Sequence, residues 1–206
     1  WRDYKWGGVA NSNVISSMLD KKGNLFENKK KFTLNASPND LKKELQAQID
    51  LAKSIGIKPT HIDSHEGALF FDQSIFKTYL DIGEENQLPV FVPKEVAVHF
   101  DKSFPKPENV VIVENMYMAL PNLEFKDWSD YYVNVIENLK PGLNEIIVHL
   151  GYDDKEMQQI TIEHPNYGSK WRNLDMDVVS SESFKQAIEK NNIKLVTWRE
   201  IQKVIY

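Results

Sequence analysis

The sequence predicts an α/β fold built on a parallel sheet, which is either open or closed into a barrel. The first observation behind this prediction is that amphipathic helices and short apolar strands alternate along the chain. The second is that the strands read as brief apolar runs, as expected where helices cover a sheet. The third is that two strands end in histidine, and parallel folds carry their functional groups at the carboxyl ends of strands.

The clearest helix follows Ser37. Ser37 is a favourable N-cap residue, Pro38 suits the first helical position, and Gly56 is expected to end the helix. Between them, apolar residues recur at helical spacing and form one stripe that faces the core. These residues are Leu41, Leu45, Ile49, Ala52 and Ile55.

Four further helices and five strands complete the prediction. Helices are expected from Asp72, from about Asp127, after the capping residue Ser181 and after Thr197. The apolar or β-branched runs that predict strands include residues 61–65, 89–93, 110–113, 145–149 and 193–197. No internal repeat interrupts this pattern, so the elements are expected to form one layered α/β arrangement.

The composition limits the classes of protein to which the chain can belong. Its 206 residues suit a single domain over residues 1–206, with 41% hydrophobic and 27% charged residues. A net charge of −5 without a Lys/Arg stripe argues against nucleic-acid binding. The absence of cysteine excludes disulfides and thiolate ligands, and no apolar run is long enough to predict a membrane span.

The beginning of the chain has no clear secondary-structure pattern. Residues 1–32 contain turn signals at Gly7-Gly8 and Lys22-Gly23-Asn24, and residues 1–6 lack an initiating Met. We therefore expect that residues upstream of Trp1 are missing from this chain. The localisation stays open for the same reason.

Residues 59–66 hold the densest set of chemically useful side chains, in the order PTHIDSHE. Proline and β-branched residues favour an extended run here. Because side chains on a strand alternate between its faces, His61, Asp63 and His65 are expected to point the same way. Such a face suits a metal site or an acid/base site, whereas the alternative is a set of surface residues that follow a strand.

A second histidine, His149, ends the apolar strand 145–149. Gly151 allows the backbone to turn sharply after it, while Asp153 and Asp154 either join a site or cap the helix that follows. If both histidine-bearing strands belong to one parallel sheet, their carboxyl ends lie at the same edge. The two imidazoles are then expected to face one another.

Other candidate residues have two interpretations. Trp171 is expected either to stack on a sugar ring or to anchor the core, and Arg172 to hold a polar group of a substrate. His99 follows an apolar segment and has no second ligand nearby in the sequence. We therefore interpret His99 as structural or exposed.

Two or three neutral imidazoles with a carboxylate suit zinc or another divalent metal. A site with three protein ligands keeps one position for water, whose pKa the metal lowers to about 7. The resulting hydroxide can attack a carbonyl carbon. In such a site Asp63 is expected to orient an imidazole or accept a proton, and a neighbouring histidine to protonate the leaving group.

Together these segments resemble the YdjC-like family of carbohydrate deacetylases. The resemblance spans roughly residues 1–206, and it is fairly specific because several separated segments match in order. It implies a parallel (βα) barrel-like fold of a distorted TIM type, with the first strand or strands missing. The matching segments are residues 59–65, 145–154, 171–172 and 195–200.

The resemblance also implies a chemistry and a set of roles. It implies a divalent metal ion, Zn²⁺ or Mg²⁺, and hydrolysis of N-acetyl groups on amino sugars or oligosaccharides. Carried over to this sequence, His61 and His149 are metal ligands, and His65 is a further ligand or a substrate-facing acid. Asp63 is a partner of the ligands, so Asp63 and His65 form the catalytic pair.

The chain departs from the family pattern in two places. Family members carry an Asp-Asp pair at the end of their first strand, which supplies a metal ligand and a general base, and none precedes His61 here. Residues 66–68 read Glu-Gly-Ala where many members have further histidines, and Leu150 stands where many have proline. Without the Asp-Asp pair the metal lacks its carboxylate, whereas the changes at residues 66–68 and Leu150 bear on substrate specificity more than on the class of reaction.

The leading hypothesis is a metal-dependent hydrolase that removes N-acetyl groups from sugars by metal-activated water. A non-catalytic carbohydrate-binding homologue is one alternative, motivated by the missing aspartates. A metal-dependent ester or phosphoester hydrolase is another. The expected partner is a small carbohydrate, with no nucleic acid and no membrane, and a homo-oligomer stays open.

Overall fold

The computed structural model describes residues 4–100, 108–164 and 166–206, and in these segments helices alternate with short strands. Parallel pairing occurs between two strands and at one isolated bridge. These features confirm the prediction of an α/β fold with parallel strands. Within the described segments the strands form two two-stranded sheets rather than the closed barrel that the resemblance implied.

The helices are α1 (Lys29–Asn35), α2 (Pro38–Ser54), α3 (Gln73–Glu85), α4 (Lys94–His99), α5 (Trp128–Glu137), α6 (Lys155–Ile160), α7 (Ser169–Ser180), α8 (Glu182–Lys190) and α9 (Trp198–Ile205). The strands are β1 (Val90–Pro93), β2 (Val110–Val113), β3 (Asn115–Tyr117) and β4 (Asn144–Ile146). Short 3-10 turns lie at Ser12–Val14, Ser16–Met18, His65–Phe70 and Phe125–Asp127. None of the described helices has the length and apolar character needed to cross a bilayer.

The chain divides into two compact units, which are described separately. Unit 1 comprises Trp1–Ile112 and Val196–Tyr206, and unit 2 comprises Val113–Leu195. Unit 1 therefore contains the first histidine-bearing segment together with the C-terminal helix α9. Unit 2 contains the second histidine-bearing segment. The prediction of a single domain over residues 1–206 stays a prediction.

In unit 1, α2 and α3 pack against each other beside β1. The Ser37 hydroxyl accepts a hydrogen bond from the Asp40 amide, as its predicted capping role requires. Gly56 follows the helix with a φ of +87°, a left-handed conformation that suits glycine at a helix C-terminus. The fully buried side chains of this core include Ile15, Leu41, Ile75, Tyr79, Leu80, Val90 and Val92.

The first histidine-bearing segment pairs with β1 at a single residue. Ile62 forms a parallel bridge with Val90, in which the Ile62 amide donates to Pro89 O at 3.0 Å and the Phe91 amide donates to Ile62 O at 3.1 Å. The Tyr79 hydroxyl lies 2.9 Å from both Ile62 O and Phe91 O. The buried side chain of Tyr79 therefore contacts the segment at Ile62, where the pairing with β1 is limited to one residue.

The prediction that this strand extends to His65 is wrong. The chain turns at Ser64, whose carbonyl accepts from the Gly67 amide at 2.7 Å, and the 3-10 turn begins at His65. Glu66 and Gly67 take left-handed φ angles of 53° and 67°, which no strand contains. His65 therefore lies outside the alternating run that includes His61 and Asp63.

In unit 2, β3 and β4 pair in parallel with Asn115, Met116 and Tyr117 opposite Asn144, Glu145 and Ile146. The Ile147 amide continues the ladder by donating to Tyr117 O at 2.8 Å. Helices α5, α7 and α8 pack against one another beside this pair. His149 then follows the last ladder bond by two residues, as expected for a group at a strand's carboxyl end.

The predicted strand at 193–197 is absent from the structure. Leu195 is 73% exposed and Val196 is 44% exposed, so no second layer covers these apolar side chains. Thr197 instead begins α9 with a reciprocal capping box, in which its side chain accepts from the Glu200 amide and the Glu200 carboxylate accepts from the Thr197 amide.

We expect the substitution Tyr79→Phe to lower the free energy of unfolding of the chain by about 1–2 kcal/mol, because buried carbonyl oxygens lose a hydrogen-bond donor. Urea unfolding followed by circular dichroism measures this change. The matched control is Tyr152→Phe, since Tyr152 is 66% exposed. Equal stability of the two variants would contradict a supporting role for the Tyr79 hydroxyl.

Candidate active site

His61 is a half-buried histidine in unit 1 with contacts on its ring face and at one ring nitrogen. Its ring stacks on the indole of Trp198, with centroids 4.1 Å apart and an angle of 6° between the planes. The Thr60 Oγ1 atom lies 3.1 Å from Nδ1. This contact leaves Nε2 as the ring nitrogen that can bind a metal ion.

Burial lowers the pKa of His61, and the negative charge of Asp63 opposes this effect in part. The imidazole is therefore neutral at neutral pH, which is the form that coordinates a metal. An oriented, neutral imidazole with its second nitrogen hydrogen-bonded fits a metal ligand. The environment of His61 thus fits the role that the sequence predicted.

Trp198 is itself fixed by contacts between α9 and the rest of unit 1. The Arg199 guanidinium donates to Lys58 O at 3.1 Å. The Gln202 side-chain amide donates to Gln87 O at 3.4 Å, near the other end of the helix. The C-terminal helix therefore holds the indole against the ring of His61.

Asp63 and His65 are both exposed. Asp63 lies close enough to His61 for its charge to raise the histidine's pKa. His65 begins the 3-10 turn, and the next residue, Glu66, is held by Lys29, whose ammonium donates to Glu66 O at 3.0 Å. The structure thus brings Asp63 to His61, while the predicted roles of Asp63 and His65 stay predictions.

His149 lies in unit 2 and is partly buried. Its backbone amide donates to Oδ2 of Asp175 at 2.8 Å. Its ring meets the ring of Tyr167 at an angle of 62°, with centroids 5.3 Å apart. Both the backbone and the ring of this predicted metal ligand are therefore in defined contacts.

The segment after His149 packs closely against α6 and α7. A Cβ atom added to Gly151 would lie 3.3 Å from Cβ of Arg172, so a small residue is favoured here. Asp154 accepts from the Met157 amide at 2.9 Å and caps α6, which confirms the capping interpretation. Asp153 accepts hydrogen bonds from the side chains of Ser169 and Gln158.

Trp171 is a core residue in this structure, with 2% of its surface exposed. Its ring packs edge-on against Trp128, with centroids 4.7 Å apart, and at a tilt of 42° against Tyr167, with centroids 4.4 Å apart. This position favours the core-anchor interpretation over stacking on a sugar. Arg172 is partly exposed, and its Nε donates to Tyr167 O at 2.9 Å.

Sequence reasoning missed Asp175, which has no exposed surface. Its carboxylate accepts from Trp128 Nε1 at 2.8 Å and from the Tyr132 hydroxyl at 3.0 Å, in addition to the His149 amide. Burial and the adjacent carboxylate raise the pKa of Tyr132. A signal existed in the sequence, because Asp175 lies between Trp171 and Val178 on the apolar stripe of α7, where a carboxylate needs partners.

Among the described residues, no group of three or more histidine, aspartate or glutamate side chains is gathered closely enough to hold a metal ion. The fit to a metal therefore rests on the environments of individual imidazoles. The prediction that His61 and His149 share one ion stays a prediction.

Residues 4–190 match the model of the family described as YdjC-like protein. The match covers most of the 206 residues. The chain belongs to the YdjC-like family. This result confirms the resemblance that the histidine-bearing segments carried.

Relatives in the YdjC-like family include proteins named carbohydrate deacetylase. The one from Clostridium beijerinckii is 24% identical over 192 residues, covering 92% of this chain and 72% of the relative. The one from Thermoanaerobacter pseudethanolicus is 22% identical over 190 residues, covering 92% and 71%. These identities support a hydrolase of this kind at the level of the family.

A solved structure of an Enterococcus faecalis protein, assigned as a cellobiose-phosphate cleavage protein, has a similar fold. The TM-score is 0.71 with 20% sequence identity, over 95% of this chain and 72% of that chain. The similarity therefore supports the YdjC-like fold. It carries no information on the substrate of this chain.

We expect Trp198→Leu to move the ring-proton signals of His61 downfield in NMR spectra, because the shielding by the stacked indole is lost. The free energy of unfolding should fall by about 1–2 kcal/mol as ring contact and apolar burial are removed. The signals of the exposed His65 serve as the internal control and should not move. Unchanged His61 signals would show that the stack does not exist in solution.

Proposed function

We propose that this chain is a carbohydrate deacetylase that removes N-acetyl groups from amino sugars or oligosaccharides with the help of a divalent metal ion. One observation carries the proposal: each unit presents a partly buried imidazole beside a parallel strand pairing, and neighbouring groups contact that histidine. His61 contacts Trp198 and Thr60, and His149 contacts Tyr167 and Asp175. Membership of the YdjC-like family supports the same activity.

In this proposal His61 and His149 supply imidazole ligands to the metal, and His65 is the candidate for a third. Imidazole favours Zn²⁺, whereas Mg²⁺ prefers carboxylate, carbonyl and water oxygens. Zn²⁺ is therefore the better match to these side chains. When bound, the ion polarises the acetyl carbonyl and lowers the pKa of a bound water to about 7.

The roles of the protein side chains follow from their exposure and charge. Asp63 is an exposed carboxylate beside His61 and is proposed to accept a proton from the attacking water. The alternative to a ligand role for His65, which is also exposed, is that it donates a proton to the leaving nitrogen. Water adds to the acetyl carbon, the C–N bond breaks, and acetate and the free amino sugar are released.

The sugar needs an exposed aromatic face and polar contacts. Tyr152 follows His149 by three residues and is 66% exposed, so it can stack on a sugar ring where the buried Trp171 cannot. Arg172 is partly exposed and is proposed to hold a hydroxyl or carbonyl oxygen of the sugar.

Acetate release from N-acetylated chito-oligosaccharides tests the reaction. We expect His61→Ala and His149→Ala each to lower kcat/KM by about 100-fold or more, because stabilisation of the transition state is lost with a ligand. His99→Ala is the control, since His99 is exposed at the end of α4 and should retain full activity. Prior removal of metal with a chelator should abolish acetate release, and added Zn²⁺ should restore it.

Other outcomes of that assay point to the alternatives. Calorimetric binding of the oligosaccharide without acetate release would indicate a non-catalytic carbohydrate-binding protein. Turnover of acetate or phosphate esters with no amide hydrolysis would indicate a metal-dependent ester or phosphoester hydrolase. If the protein binds no metal and no sugar and turns over none of these substrates, the proposal is wrong.

A separate test addresses the sugar contact. We expect Tyr152→Ala to raise KM by about 5- to 30-fold with kcat nearly unchanged, because stacking contributes about 1–2 kcal/mol to binding. Tyr152→Phe keeps the ring and should behave like the unsubstituted protein. A fall in kcat at constant KM would contradict a role confined to binding.

A further inference from the structure

We infer that Asp175 is a positioning residue that fixes the backbone of His149 and thereby the place of its imidazole. This inference deepens the proposed function and, for its consequence in metal binding, rests on it. The direct observation is the hydrogen bond from the His149 amide to Oδ2 of Asp175, at 2.8 Å. Asp175 touches no substrate in this proposal and acts only through His149.

The burial of Asp175 is complete, with 0% of its surface exposed. A buried carboxylate is stable only where several donors replace the lost water. Here the donors are Trp128 Nε1, the Tyr132 hydroxyl and the His149 amide. Because the carboxylate needs all three donors to replace its hydration, it restrains the position of each of them.

The two carboxylate oxygens have separate tasks. Oδ1 accepts from Trp128 and Tyr132, which both belong to α5, and so joins α7 to α5. Oδ2 accepts from the His149 amide, which lies beyond the end of β4. Because Asp175 is fully buried, Oδ2 also needs a donor, and the His149 amide is that donor. The same side chain therefore bonds α5 through one oxygen and the His149 backbone through the other.

Fixing an amide in this way limits where the side chain can point. The amide and Cβ of His149 are attached to the same Cα, so a shift of the backbone moves the imidazole with it. Tyr167 contacts the ring from another direction, with centroids 5.3 Å apart. With both contacts in place the imidazole is preorganised, and a displacement of about 1 Å is enough to weaken a catalytic site.

The substitution Asp175→Asn separates the two tasks, because an amide has only one acceptor oxygen. If that oxygen occupies the Oδ1 position it satisfies both Trp128 and Tyr132, so we expect this orientation to prevail. The side-chain NH₂ group then faces the amide of His149, donor against donor. Tyr132→Phe is the matched control, since it removes one hydrogen bond from the same carboxylate but leaves Oδ2 and His149 untouched.

Amide hydrogen exchange of the metal-free protein measures directly whether the His149 amide is held in its hydrogen bond to Asp175. In the unsubstituted protein the His149 amide should exchange at least 10-fold more slowly than the amide of the exposed Leu150. In Asp175→Asn this protection should fall at least 10-fold further than in Tyr132→Phe, after correction for global stability. If Asp175→Asn does not fold, the first comparison still decides: equal exchange at His149 and Leu150 would overturn the inference.

Zn²⁺ titration by calorimetry reads the consequence. We expect Asp175→Asn to weaken Zn²⁺ binding about 10-fold, as substitutions behind metal ligands do, and Tyr132→Phe to change it less than twofold. Unchanged affinity in Asp175→Asn, with metal bound normally by the unsubstituted protein, would overturn the positioning role and leave the proposed function standing. No Zn²⁺ binding by the unsubstituted protein would remove the proposed metal, while hydrogen exchange would still decide the positioning role.

Discussion

The burial of one carboxylate is the constraint on which unit 2 depends. An ionised group without solvent contact is costly unless hydrogen bonds surround it, and Asp175 has 0% exposure. Its partners come from α5 and from the segment after β4, so a single side chain sets the relation of three elements. An apolar residue of similar volume would leave Trp128 Nε1, the Tyr132 hydroxyl and the His149 amide without this acceptor. The carboxylate therefore ties the positions of these three donors to one another.

Unit 1 uses buried polar groups in a similar way. The Tyr79 hydroxyl, 1% exposed, supports the carbonyl oxygens of Ile62 and Phe91 where the sheet is too short to do so. Glu44, also 1% exposed, accepts from the amides of Val9 and Ala10 and orders the loop before the first 3-10 turn. In each case a side chain on a regular helix stabilises backbone that has no ladder of its own. Tyr79 therefore adds hydrogen bonds beside the short strand pairing, and Glu44 does so in a loop.

Much of the helical architecture could be predicted from sequence, because caps and apolar stripes are local signals. Ser37 caps α2 as expected, and Asp154 caps α6. The strand at 193–197 could not be judged locally, because an apolar run becomes a strand only where a partner strand and a covering layer exist. The turn at His65 depends on left-handed angles at Glu66, which its residue type does not favour or reveal. For the site, the sequence indicated His61 and His149 but gave Trp171 two interpretations, since burial is a tertiary property.

The residues that support the histidine-bearing segments are buried, whereas the residue proposed to contact the sugar is exposed. This difference affects how substrate specificity can change. Asp175, Tyr79 and Trp128 are nearly inaccessible, so a change in any of them leaves a buried donor or acceptor unpaired or opens a cavity. Tyr152 is 66% exposed and can change without disturbing the core. In the proposed function the sugar contacts an exposed loop, whereas the backbone of His149 is bound by a fully buried residue, so substitutions at Tyr152 are expected to alter sugar binding while the place of this imidazole is retained.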